Sequence, residues 1–313
     1  MRILVAGGAG FLGCNLCKKL LEDEENYVVC VDNFSSGKKE NIEEILNDER
    51  FEILNADISE EIDIDVDHIY NAACPASPKF YQKNQLQTFK TCIKGTENLL
   101  KLAQRKKANF LQFSTSEIYG NPLEHPQNEN YFGNVNTLGI RSCYDEGKRA
   151  AETLCYIYNR EHNVKTKIVR IFNTYGPKMR EDDGRVIPNF IIKALKNENI
   201  EVYGDGTQTR SLCYVDDLID GIIRLMNSKV NYTRPVNLGN DHEITINELA
   251  EKIINLTNSK SLIKFKPLPE DDPIKRKPDL KLANKMLDYY PRTSIDEGLK
   301  ITIDYFKNCL KTN

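Results

Sequence analysis

Short, nearly uninterrupted apolar runs alternate with stretches of helical periodicity through the first half of the chain. Residues 3–6, 28–31, 51–54, 68–73, 110–114 and 167–171 read as strands. Residues 11–21, 42–46, 85–103 and 144–161 read as helices between them. Continuous apolar runs suit strands buried on both faces, and parallel strands need helical crossovers. The pattern therefore predicts an α/β fold, a doubly wound parallel sheet with helices on both faces. After Gly176 the alternation loosens. Helices are expected at 186–195, 215–226, 246–254, 280–287 and 295–306, and short strands at 200–203, 235–238 and 262–265. Pro267, Pro269, Pro273 and Pro278 punctuate a charged segment, which is expected to form an ordered loop at the site.

Composition narrows the function classes. The 313 residues carry 43 Lys+Arg against 46 Asp+Glu, a net charge of −3. So balanced a field argues against sequence-blind nucleic-acid binding, although a local basic pocket remains possible. No apolar run approaches the roughly 18 residues of a membrane span. The opening Met1-Arg2-Ile3-Leu4-Val5-Ala6-Gly7 reads as a buried strand, not a signal peptide. Nine scattered cysteines are odd in number and suit reduced thiols, so a cytoplasmic protein is expected. Four histidines leave little material for a histidine metal site, and none is expected.

Gly7, Gly10 and Gly13 follow the first strand and open the first helix. Missing side chains let the backbone turn sharply and approach a pyrophosphate, which the helix N-terminus then favours. Asp32 ends the second strand 19 residues after Gly13, where an acid binds ribose hydroxyls and repels a 2′-phosphate. The motif predicts NAD as the cofactor. Cys14 and Cys17 have CxxC spacing but lie inside the first helix, with no second pair nearby, and read as core thiols.

Tyr144 and Lys148 stand at i and i+4, on one helix face. The pair alone is common. Behind a dinucleotide motif it acquires a role: the Lys148 charge and a cationic nicotinamide would lower the Tyr144 phenol, which then takes a proton from an alcohol. Upstream, Ser114-Thr115-Ser116-Glu117 ends the fifth strand at the carboxyl edge of the sheet, where ligands bind. Thr115 is placed to share the substrate hydroxyl proton. Without that context the segment reads as a turn before Ile118-Tyr119-Gly120.

These features together resemble the extended short-chain dehydrogenase/reductases that modify nucleotide sugars. Longer strings narrow the resemblance to the UDP-glucuronate decarboxylases (UDP-xylose synthases). Among them are Cys74-Pro75-Ala76-Ser77-Pro78, Cys143-Tyr144-Asp145-Glu146-Gly147-Lys148-Arg149, Arg170-Ile171-Phe172-Asn173-Thr174-Tyr175-Gly176-Pro177, Tyr203-Gly204-Asp205-Gly206-Thr207-Gln208-Thr209-Arg210 and Arg276-Lys277-Pro278-Asp279. The resemblance runs from residue 1 to about 306. It implies a Rossmann-like domain over 1–175, to which segments near 211–239 and 281–298 return, and a smaller discontinuous UDP-sugar domain mainly within 176–313.

The resemblance also implies a reaction. NAD oxidises the sugar C4 hydroxyl of UDP-glucuronate, the resulting β-keto acid loses CO₂, and returning hydride gives UDP-xylose. Tyr144 is the implied base, assisted by Lys148, with Thr115, Ser116, Glu117 and Arg276 around the sugar. Implied cofactor residues are Gly7, Gly10, Phe11, Leu12, Gly13, Asp32, Asn33, Phe34, Ser35, Ser36, Gly37, Asp57, Ile58, Ala72, Ala73, Thr91, Tyr144, Lys148, Thr174 and Arg185. Implied substrate residues are Pro75, Tyr81, Lys90, Asn173, Val186, Asn189, Tyr203, Gln208, Arg210 and Arg276. Arg210 suits a diphosphate because a guanidinium bonds phosphate oxygens in pairs.

Rival readings are release of the 4-keto pentose with NADH, another nucleotide-sugar epimerase or dehydratase, and a non-catalytic NAD sensor. Ser116 stands where related dehydratases carry an Asp, and a serine is a poor acid for expelling water. Gln85, Gln87, Cys92 and Leu212 depart from the decarboxylase pattern. Helices 85–103 and 144–161 are the implied four-helix-bundle contact of a homodimer.

Overall fold

The structure is a computed structural model and describes residues 1–230, 232–267 and 275–312. Its frame is a seven-stranded sheet. We label its first strands β1 (Arg2–Ala6), β2 (Tyr27–Asp32), β3 (Phe51–Asn55), β4 (His68–Asn71), β5 (Asn109–Thr115) and β6 (Thr166–Ile171). The seventh is Pro235–Leu238, and the order runs Pro235–Leu238, β6, β5, β4, β1, β2, β3. Every pairing is parallel. Strand order reverses between β1 and β4, which opens a crevice at their carboxyl ends.

Alternation along β1 shows why the strand is apolar from residue 3 to residue 6. Ile3 and Val5 pack with Leu16, Cys17 and Leu20 of the helix Phe11–Leu21. Leu4 and Ala6 pack on the opposite face with Leu99, Leu100 and Ala103. Helices thus cover both faces, as the doubly wound prediction requires.

The principal differences from the expected elements lie where local pattern is weak. Residues 42–46 form no α-helix; two 3₁₀ turns, Lys39–Asn41 and Glu43–Ile45, take their place. Ile42 is the one fully buried anchor there, too little to hold a longer helix. The expected helix 85–103 is divided into Gln85–Lys90, a π-helical turn Thr91–Gly95, and Thr96–Lys106. Gly95 lets this turn close on Ile58: a Cβ there would meet the Ile58 Cδ1 at 2.5 Å. Strand β4 ends at Asn71, two residues before the expected limit.

The second half adds short strands that no periodicity announced. Thr209–Ser211 pairs antiparallel with Glu243–Thr245 and parallel with Lys275–Arg276. Ile200–Tyr203 pairs parallel with Ile263–Lys266, one residue beyond the expected range. Within the proline-punctuated segment, Pro269 and Pro273 lie outside the described residues. Lys275–Arg276 is a strand, and Pro278 bridges Gln127. Among the described residues, no helix is long and apolar enough to cross a membrane.

Candidate active site

A cleft of about 560 Å³ opens at the carboxyl edge of the sheet. Its floor at one end is the glycine turn. Gly7 has φ +76°, and a Cβ there would sit 2.9 Å from the Ala72 carbonyl carbon, beyond β4. A Cβ on Gly13 would stand 2.0 Å from the Gly7 oxygen. The turn and the helix start can touch only because both side chains are missing. The result is a bare cradle leading to the N-terminus of Phe11–Leu21, which fits a dinucleotide pyrophosphate.

Asp32 lies beside this cradle. Its carboxylate accepts from Ala9 N at 2.9 Å and Phe34 N at 2.8 Å. Burial pushes its pKa up while those two amides oppose the rise. Gly37 closes against it, since a Cβ would meet Asp32 Oδ2 at 2.9 Å. Asn33 donates to Asp57 at 2.9 Å and accepts from Ser35 N at 3.0 Å. The Ile58 side chain is committed to the core.

The proton-handling residues converge in the middle of the cleft. Tyr144 and Lys148 come from the helix Ser142–His162, and Thr115 from the end of β5. The Tyr144 ring stacks on Tyr81 with centroids 5.0 Å apart. Lys148 Nζ donates to Phe113 O at 2.8 Å and lies 5.8 Å from the Tyr144 ring centre. Burial, with the neighbouring Cys74 and Cys92, pushes the Tyr144 phenol well above its ordinary range, against a hydrogen bond with Thr115. The expected lowering by Lys148 is therefore not delivered by the protein alone. Its ammonium is held at the Phe113 carbonyl and over the ring.

Glu117 forms the opposite wall. It is ion-paired to Arg276 on one oxygen and Arg141 on the other. Burial pushes its carboxyl up, but the two guanidinium charges prevail and hold it at about 2. Arg276 is 2% exposed, donates to Ser116 Oγ at 3.2 Å and Gly120 O at 3.0 Å, and reaches the cleft from the strand Lys275–Arg276. In register beside it stands Arg210. Arg210 lines the same cleft, where a guanidinium suits a phosphate-bearing ligand.

The remaining wall joins Tyr203, whose carbonyl accepts from Gln208 at 2.6 Å, to Asn173, Thr174, Val186 and Asn189. Arg185 is ion-paired to Asp183 and lies 5.9 Å from the Phe11 ring. Phe11, Leu12, Gly10, Ser36, Ala72 and Pro75 also face the cleft. Asp32, Asn33, Phe34, Ser35, Gly37, Asp57, Ile58, Ala73 and Thr91 are not on its wall. Lys90 is exposed at the end of Gln85–Lys90 and is not brought to the cleft.

Two cations escaped the sequence reading. Arg180 lines the cleft and donates to Ser36 O at 3.2 Å. Arg141 is the N-cap of Ser142–His162. A cation at a helix N-terminus opposes the helix dipole. That mismatch was the available signal that an anion must compensate, and the anion is Glu117.

A profile of the NAD dependent epimerase/dehydratase family matches residues 3–239. Among curated proteins, UDP-glucuronic acid decarboxylase 3 of Arabidopsis thaliana is 51% identical, over 98% of this chain and 89% of its own. UDP-glucuronic acid decarboxylase 1 of Danio rerio is 49% identical, over 99% of this chain and 73% of its own. Among solved structures, UDP-glucuronic acid 4-epimerase from Bacillus cereus, in complex with UDP-glucuronic acid and NAD, superimposes with a TM-score of 0.90 at 27% identity, covering 99% of this chain and all of that one. UDP-glucose 4-epimerase from Thermotoga maritima gives 0.90 at 28%, with the same coverage.

Proposed function

The chain belongs to the NAD dependent epimerase/dehydratase family, and from that premise we propose that it decarboxylates UDP-glucuronate to UDP-xylose and CO₂. The reaction runs through a UDP-4-keto pentose, with NAD regenerated in the site. The observation that carries this reading is the Arg276–Glu117–Arg141 cluster facing Tyr144 and Thr115. The cluster suits a substrate that carries its own carboxylate, and among the enzymes of that substrate the decarboxylases, 51% and 49% identical, are far more similar to this chain than the 4-epimerase, 27% identical.

Bound NAD, held by the Gly7–Gly13 cradle and Asp32, supplies the acceptor and later the donor of one hydride. This chain's residues handle the rest. Tyr144, hydrogen-bonded to Thr115, takes the proton from the C4 hydroxyl. Arg276 meets the carboxylate, and decarboxylation sends its electrons into the new ketone. Tyr144 donates a hydrogen bond to the enolate oxygen, keeps its proton while carbon is protonated and the ketone re-forms, and gives that proton to the C4 oxygen when hydride returns. Glu117, held as an anion, does not act as the acid; it orients the ring or a water that Arg276 also holds, and this water protonates carbon. Arg210 takes the diphosphate, and Tyr203 and Gln208 meet the nucleoside.

The same reading divides the chain into a dinucleotide unit (1–175, with 211–239 and 281–298) and a sugar-nucleotide cover drawn mainly from 176–313. It also makes the protein a homodimer. Leu86, 66% exposed on Gln85–Lys90, and Tyr156, 49% exposed on Ser142–His162, leave apolar side chains for a second copy to cover. A cytoplasmic setting suits the nine cysteines, none of which is in a disulfide.

Incubation with UDP-glucuronate and NAD, following CO₂, nucleotide sugars and NADH together, tests the function. CO₂ and UDP-xylose with little net NADH are expected. Unchanged carboxylate with inversion at C4 would make it an epimerase; stoichiometric NADH with keto pentose would make it an oxidative decarboxylase.

A further inference from the structure

Two thiols that the decarboxylation does not use meet beneath the catalytic pair. The sulfurs of Cys74 and Cys92 stand 3.3 Å apart. Cys74 lies three residues beyond β4 and reaches the cleft. Cys92 follows Thr91 in the π-helical turn and is 2% exposed. Gly147, between Tyr144 and Lys148, is packed directly on it: a Cβ there would meet the Cys92 sulfur at 3.1 Å. The dithiol is therefore wedged between the end of β4 and the helix that presents both catalytic side chains.

We propose that Cys74 and Cys92 form an oxidation site, a dithiol that a hydroperoxide converts to a disulfide, which lowers turnover until a thiol reductant restores it. Cys74 meets the oxidant because it faces the cleft. Its sulfur attacks the peroxide; the O–O bond breaks, an S–O bond forms, and water or an alcohol leaves. Cys92 then attacks the Cys74 sulfur. The S–S bond forms, the S–O bond breaks, and water leaves with the thiol proton. In sum, the two thiols lose two electrons and two protons to the peroxide.

Cys92 suits the second role. The hydrogen bond between them raises Cys74, together with burial, and lowers Cys92, with the Lys148 ammonium adding to the lowering; Cys92 therefore takes the Cys74 proton as the Cys74 sulfur attacks, and gives it up when it attacks in turn. A disulfide is about 2.05 Å long, so the sulfurs must close by roughly 1.2 Å. Closing that gap changes the contact of Cys92 with Gly147. That change disturbs the packing of the turn of helix carrying Tyr144 and Lys148, where small displacements are costly to rate.

The test treats the NAD-loaded protein with hydrogen peroxide, alkylates the remaining thiols under denaturing conditions, and maps peptides by mass spectrometry. A Cys74–Cys92 link is expected, with turnover reduced several-fold and recovered by dithiothreitol. Cys92→Ser should keep the untreated activity and lose the peroxide sensitivity; Cys92→Ala serves if the serine variant folds poorly. Separate alkylation of both thiols after treatment would overturn the proposal. So would a link to the neighbouring Cys143, or a complete Cys74–Cys92 link with unchanged turnover. The link is read without reference to turnover, so this test and that of the decarboxylation fail separately.

Discussion

Glu117 sits in a cleft that buries it, yet its carboxyl is held at about 2 because Arg276 and Arg141 each take one oxygen. Removing Arg141 takes away one of the charges that lower it. In Arg141→Gln the Glu117 pKa therefore rises toward the usual carboxylate range, and the acid limb of the kcat/KM profile moves to higher pH. A loss of roughly tenfold in kcat/KM at neutral pH is expected from one charge-assisted bond. Tyr144→Phe removes the phenolic proton while keeping the ring stacked on Tyr81. Turnover should fall by about 10²–10⁴-fold, as for loss of a general acid–base, with UDP affinity by calorimetry nearly unchanged. At this scale Tyr144, Lys148 and Arg276 were legible because they sit in diagnostic strings, and Glu117 because it closes the Ser114–Glu117 segment at the carboxyl edge of the sheet. Arg141 was not, although it stands only two residues before one of those strings. Its meaning depends on Glu117, 24 positions earlier in the chain, and no local pattern links them.

The glycine turn and the π-helical turn do opposite things with close packing. In the first, missing side chains bring two backbone segments together; in the second, Gly95 admits Ile58 and shifts the register of a long helix. Gly13→Ala would force a carbon to within 2.0 Å of the Gly7 oxygen. Overpacking of this kind costs roughly 1–3 kcal/mol. The variant should melt earlier in calorimetry and fail to bind NAD at concentrations that saturate the parent. Long elements were readable because β1, β2 and β5 carry mainly apolar, buried runs and the helices keep one buried stripe. The strands Thr209–Ser211, Cys213–Tyr214 and Lys275–Arg276 have two or three residues each. Their existence is set by tertiary pairing, which single-chain periodicity does not contain. The π-helical turn escaped for the same reason, since it is fixed by contact with Ile58, about 35 positions earlier.

On the scale of the whole molecule, a net charge of −3 conceals a cleft rich in arginine. Arg141, Lys148, Arg180, Arg185, Arg210 and Arg276 all line it, against Glu117, Asp183 and Glu201. That local excess suits a ligand bearing a diphosphate and a carboxylate, which overall composition could not reveal. The apolar side chains left on Gln85–Lys90 and Ser142–His162 belong to the same scale. In sedimentation the protein should run at twice the chain mass, and Leu86→Asp should shift it to monomer without lowering its helix content. The central claim is that one site oxidises, decarboxylates and re-reduces the same sugar. UDP-glucuronate deuterated at sugar C4, run to completion with NAD, tests it directly. The account predicts UDP-xylose that retains deuterium at C4, with no accumulated NADH. Deuterium recovered in free NADH, beside a released keto pentose, would contradict it.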